Sequence, residues 1–149
     1  MINAGGKGSG ITIRRSRTTV ENLTIKNYGG DLYKRDSGVR VMDGCTGVKL
    51  TNLKLSGSGF GIRADRLDNL EIRDCEITGN SRRHILDRGD GVFSTTSSTP
   101  NSSITGLRTF ATVFTLKTPM RRRLSATIST TPNMASIGCT PAMTSATTT

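Results

Sequence analysis

Tryptophan is absent, aromatics amount to 4% of the residues, and only 33% are hydrophobic, which argues against one large conventional core. No apolar stretch reaches the length of a membrane span. Met1 is followed by Ile-Asn-Ala-Gly-Gly rather than by a basic and then apolar leader, so no signal peptide is expected in this chain. Cys45, Cys75 and Cys139 are widely spaced, form no CxxC pair and say little about redox compartment. Acidic residues stop at Asp90. Residues 1–93 hold 16 Lys+Arg and all 11 Asp+Glu, whereas residues 94–149 hold five basic residues and no acidic one. The net charge of +10 contains one basic run, Arg121-Arg122-Arg123, with nothing beside it to stack on bases, so nucleic-acid binding is not expected.

Glycine is abundant instead. Seventeen glycines are too many for a helical bundle and too irregular for collagen, but they suit a solenoid of short strands and small turns. Three eight-residue segments align: Thr18–Ile25, Val48–Leu55 and Leu70–Ile77. Positions three, six and eight are apolar in all three, and position five is Asn22, Asn52 or Asp74. The copies are offset by 30 and 22 residues, the length of a solenoid turn. Apolar alternation on either side of position five, with a one-residue slip between, predicts two short strands joined by a bend. Asn and Asp tolerate left-handed backbone angles, so Asn22, Asn52 and Asp74 are expected to stack as a ladder at that bend. A second piece, glycine followed by an alternating strand, recurs at Gly10, Gly38, Gly61 and Gly91, and is expected to turn the chain into the next sheet. The fold class predicted is an all-β, right-handed parallel β-helix over residues 1–93, about four turns without visible caps. A β-sandwich is the alternative, but sandwiches lack aligned internal copies.

After Phe93 the pattern is expected to stop. Residues 94–149 contain 25 Ser+Thr and two glycines, and are expected to form an irregular, disordered tail. Loss of one base near the Phe93/Ser94 junction offers an explanation. In the neighbouring frame Ser94–Thr144 can be decoded as a string that resumes the repeat, and the single codon of Met134 forces glycine in place of Ala135. On this reading the chain is a truncated and frameshifted fragment.

Several segments carry a family resemblance: Ile2-Asn3-Ala4-Gly5-Gly6-Lys7-Gly8, Asp36-Ser37-Gly38-Val39-Arg40-Val41, Asp43-Gly44-Cys45-Thr46-Gly47-Val48, Gly59-Phe60-Gly61-Ile62, and the run from Asn80 through Arg88-Gly89-Asp90-Gly91-Val92. Over residues 2–93 the chain resembles the NosD family, the β-helix proteins of nitrous-oxide-reductase maturation. The resemblance implies a periplasmic, non-enzymatic accessory protein. It would work with an ABC transporter in assembling the copper–sulfur centre of nitrous oxide reductase. The same repeat resembles carbohydrate-binding proteins and polysaccharide lyases or epimerases, and fold alone does not separate these.

Copper directs attention to thiolate, thioether and imidazole ligands. Residues 1–93 offer His84, Cys45, Cys75, Met1 and Met42 without ligand spacing; His84 is the one candidate metal ligand, and Cys75 occupies an inward repeat position. No catalytic or cofactor-binding residue is expected. Arg40, Arg63 and Asp65, with Asp36, are candidates for one exterior wall, either a mixed-charge solvated face or an acid–base stack. Gly5-Gly6-Lys7-Gly8-Ser9-Gly10 lacks the spacing of a phosphate loop.

Overall fold

A computed structural model describes residues 1–84, 87, 89–95 and 103–110, together with the backbone of strands at 114–117, 125–130, 137–138 and 146–148. All its regular elements are strands, and every pairing between them is parallel. One sheet is assembled from β1 (Ile2–Asn3), β3 (Thr19–Tyr28), β5 (Lys49–Gly57), β7 (Glu71–Arg73) and β8 (Glu76–Thr78), then β10 (Ser103–Phe110), β12 (Ser125–Thr130) and β14 (Ala146–Thr148). The other takes β2 (Ile11–Ile13), β4 (Ser37–Val41), β6 (Phe60–Ala64), β9 (Val92–Thr95), β11 (Phe114–Lys117) and β13 (Ile137–Gly138). The chain alternates between the two sheets and each strand pairs with its counterpart one coil away, which is the winding of a parallel β-helix.

Register explains why the repeat has apolar residues at fixed positions. Val20, Leu50, Ile72 and Ile104 are partners in one column, Ile25, Leu55, Ile77 and Thr109 in a second. On the short sheet Ile11, Val39, Ile62 and Val92 align, as do Ile13, Val41, Ala64 and Ser94. Leu50, Leu53, Ile62, Ile72 and Leu107 are fully buried. Each such side chain contributes roughly 1.5–3 kcal/mol relative to leaving it in water.

Two expectations need correction. The break at Phe93 falls inside β9, and the supposedly irregular segment supplies β10, which pairs with β7 and β8. Ser103–Thr109 follows positions two to eight of the eight-residue unit, with Ile104, Leu107 and Thr109 inward and Gly106 at position five. Gly38 and Gly61 do not turn the chain: they lie within β4 and β6, and neither has a positive φ. Their role is close approach. A Cβ on Gly61 would sit 2.4 Å from the Gly91 carbonyl oxygen and 2.5 Å from Ile77 Cγ2, and one on Gly38 would sit 2.8 Å from the Gly61 carbonyl oxygen. The glycine column lets successive coils stack where a side chain has no room. Cys139, Met134, Met143 and Arg121–Arg123 lie outside the described residues.

Candidate functional site

The outer face of the short sheet carries the most organised polar cluster. Because Val39, Val41, Ile62 and Ala64 point inward, the alternate residues Arg40 and Arg63 point out, and they are register partners. Arg63 is fixed on three sides. Its Nε and Nη2 donate to Asp65 Oδ2 and Oδ1 at 2.9 and 3.2 Å, and its guanidinium carbon lies 4.7 Å from the Phe60 ring centre and 4.5 Å from that of Phe93. The two rings meet edge to face at 5.8 Å. Arg35 also reaches Asp65 Oδ2, at 3.4 Å. One coil edge away, Arg66 pairs with Asp43. That hydrogen bond, with added attraction from Arg66, Arg35 and Arg40, holds the Asp43 carboxyl below its ordinary pKa.

This face does not form an acid–base stack. Asp65 is committed to two arginines, and Asp36 is turned inward, 7% exposed, where its Oδ2 accepts the Asp31 amide at 3.2 Å. The sequence signal missed here is that Phe60 and Phe93, far apart in the chain, close over one guanidinium.

The candidate metal ligands are not brought together. His84 is exposed on the loop after β8, where its carbonyl accepts the Asp87 amide. Cys45 and Cys75 are buried free thiols, and Met1 is 85% exposed. Burial raises the Cys75 pKa to about 11, which opposes the thiolate that copper needs. Among the described residues no group of three or more His, Cys, Asp or Glu side chains lies together so as to hold a metal ion.

The Asn/Asp column sits at the bend of the long sheet. Asn22, Asn52 and Asp74 have φ of 55°, 50° and 50°, and Asn52 Nδ2 donates to Asn22 Oδ1 at 2.7 Å. Gly106, at φ 65°, follows on the same corner, and the Asp74 amide donates to the Thr105 carbonyl at 2.9 Å. At the far end of the long sheet lies an open cleft of about 640 Å³, lined by Asn3, Asn27, Ser58, Thr78, Asn80 and Arg83 among others. Beneath it the buried Tyr28 ring fits against Gly38 and Gly57, and its hydroxyl has no hydrogen-bond partner among the described residues. Burial raises that phenol's pKa.

Comparison with known families matches residues 3–110 to the right-handed β-helix region. The chain belongs to the right-handed β-helix family. Two curated relatives, both named "Probable ABC transporter binding protein NosD", are similar to part of this chain. The protein of Stutzerimonas stutzeri is 29% identical over 92 residues, covering 62% of this chain and 21% of its own length. That of Pseudomonas aeruginosa is 30% identical over 91 residues, covering 61% and 21%. The chain thus spans about a fifth of the length of the curated relatives it matches. Both are named as transporter binding proteins, not as enzymes. No solved structure matches. Among the described residues no helix is long and apolar enough to cross a membrane.

Proposed function

We propose that this β-helix is a scaffold section of a periplasmic, NosD-like accessory protein that works with an ABC transporter in maturing the copper–sulfur centre of nitrous oxide reductase. The similarity to two NosD proteins over about 90 residues of this chain carries the reading. The surface chemistry agrees with it: the exterior carboxylates of the short sheet are consumed by arginines, which suits docking better than acid–base catalysis. On this reading the coils act by holding partners. The test replaces the aligned coils of a full-length NosD protein by residues 2–93 and measures copper content and activity of nitrous oxide reductase in a strain lacking its own copy. Restored copper loading supports the reading; a stable, exported chimera that leaves the reductase without copper overturns it.

A glycan-binding reading is favoured by one observation, the cleft lined by amides, hydroxyls and Arg83 across three coils. Calorimetric titration with neutral and uronate oligosaccharides tests it, and saturable binding lost in Arg83→Ala would support it over the first reading.

The frame after Phe93 is tested on DNA. Ser103–Phe110 as written completes a fourth repeat, which favours the present frame through that strand. An additional base between the codons of Val92 and Thr99 would withdraw β10 and everything after it.

A further inference from the structure

The short-sheet face has more arginines than carboxylates to pair with them. Arg35, Arg40, Arg63 and Arg66 share it with Asp43 and Asp65. Arg63 and Arg66 each hold a carboxylate, and Arg35 shares the one already held by Arg63. Arg40 attracts Asp43 from a distance but makes no ion pair among the described residues. Arg40 and Arg63 are register partners on adjacent strands, whose backbones lie about 4.8 Å apart. Strand register fixes the base of Arg40, so little backbone entropy remains to be lost when a ligand binds.

We propose that this arginine face docks an acidic polypeptide segment of a protein partner. Its own geometry shows the chemistry it accepts: the Arg63–Asp65 pair is a two-point guanidinium–carboxylate fork, the arrangement in which arginine binds carboxylates best. A nucleic acid is the poorer fit. The Phe60 and Phe93 rings that would stack on bases are already covered by Arg63. A second copy of the chain fits poorly as well, since two chains of net charge +10 repel. The inference goes beyond the accessory reading and stands without it, because it concerns the partner's chemistry and not its identity.

The experiment uses the full chain and a fluorescein-labelled oligo-glutamate peptide, followed by anisotropy at low and at physiological ionic strength, about 0.15 M. A single-stranded oligonucleotide and a heparin fragment of equal charge run beside it. The peptide is expected to bind, to weaken with salt, and to lose about tenfold or more in affinity with Arg40→Glu combined with Arg66→Glu. Lys26→Glu combined with Lys54→Glu, the same charge change on the outer face of the long sheet, is expected to change it far less. Circular dichroism checks folding, and Arg40→Gln replaces the double variant should that one fail to fold. Equal loss with the Lys26→Glu and Lys54→Glu pair would reduce the effect to net charge and overturn the proposal. Tighter binding of the oligonucleotide or the heparin fragment, or no peptide binding at all, would do the same.

Discussion

The coils that carry β1 to β8 and the coil that carries β9 and β10 share a register but fill it with different chemistry. In the long sheet, the column that reads Ile25, Leu55, Ile77 continues as Thr109. In the short sheet, the column Ile13, Val41, Ala64 continues as Ser94. Both later residues are buried, 5% and 3% exposed. Of the side chains described in this coil, Val92, Ile104 and Leu107 are the buried apolar ones, while two inward positions bury hydroxyl-bearing side chains. A β-helix coil can keep its backbone ladder while its core weakens, because the ladder depends on the coil beneath and the core on the residue's own side chain.

The largest effect tests the earlier coils. Leu53→Ala is expected to cost about 2–5 kcal/mol, because Leu53 is fully buried in the core beside its register partner Leu23. Urea denaturation reads it, and a cost below about 1 kcal/mol would show that the core is looser than this packing requires.

Cys75 tests whether the fourth coil covers the third. The Arg108 amide donates to the Cys75 carbonyl at 2.8 Å, and the thiol is 1% exposed. Its folded pKa, raised to about 11 from 9.0, means that the folded chain keeps a proton which the unfolded chain loses. Stability supported by this thiol is complete below pH 9 and falls as pH rises towards 11, by on the order of 2 kcal/mol. Cys75→Ala should flatten that slope. Rapid maleimide labelling of Cys75 in the folded chain at neutral pH would instead show that Ser103–Phe110 leaves it open.

Gly61→Ala probes the glycine column common to both regions. The new methyl group would collide with the Gly91 carbonyl, so a loss of about 1–3 kcal/mol is expected in thermal or denaturant unfolding. Gly106→Ala is the counterpart in the later coil, strained by φ 65° and by Asp74 Oδ1.

Smaller effects remain. Asn52→Ala removes the hydrogen bond to Asn22 and leaves alanine at φ 50°, a loss of about 1–2 kcal/mol. Thr109→Val should raise the melting temperature slightly, by the equivalent of about 0.5–1 kcal/mol, by restoring an apolar side chain to the Ile77 column. No gain, with Leu53→Ala behaving as expected, would mean that the later coil is not packed on the earlier ones.

The repeat units were legible in the first three copies because Leu, Ile and Val mark the inward positions and Asn or Asp marks the bend. The fourth copy was hidden for the same reason. Ser102, Gly106 and Thr109 replace the expected apolar and Asn/Asp residues, although Gly106 supplies the left-handed bend even more readily. The Arg63 clamp was only half legible. Arg63 and Asp65 are two residues apart on one strand edge, but the rings of Phe60 and Phe93 converge only when β6 and β9 are stacked.

By itself the sequence determined the winding unit, since two-residue alternation and left-handed bends are local consequences of side-chain size and backbone sterics. Only the tertiary structure decided what the glycines are for, where the ladders continue and which arginines are left with charge to offer. Those depend on residues one coil apart, some 22 to 30 positions along the chain, whose contact is set by register and not by sequence proximity.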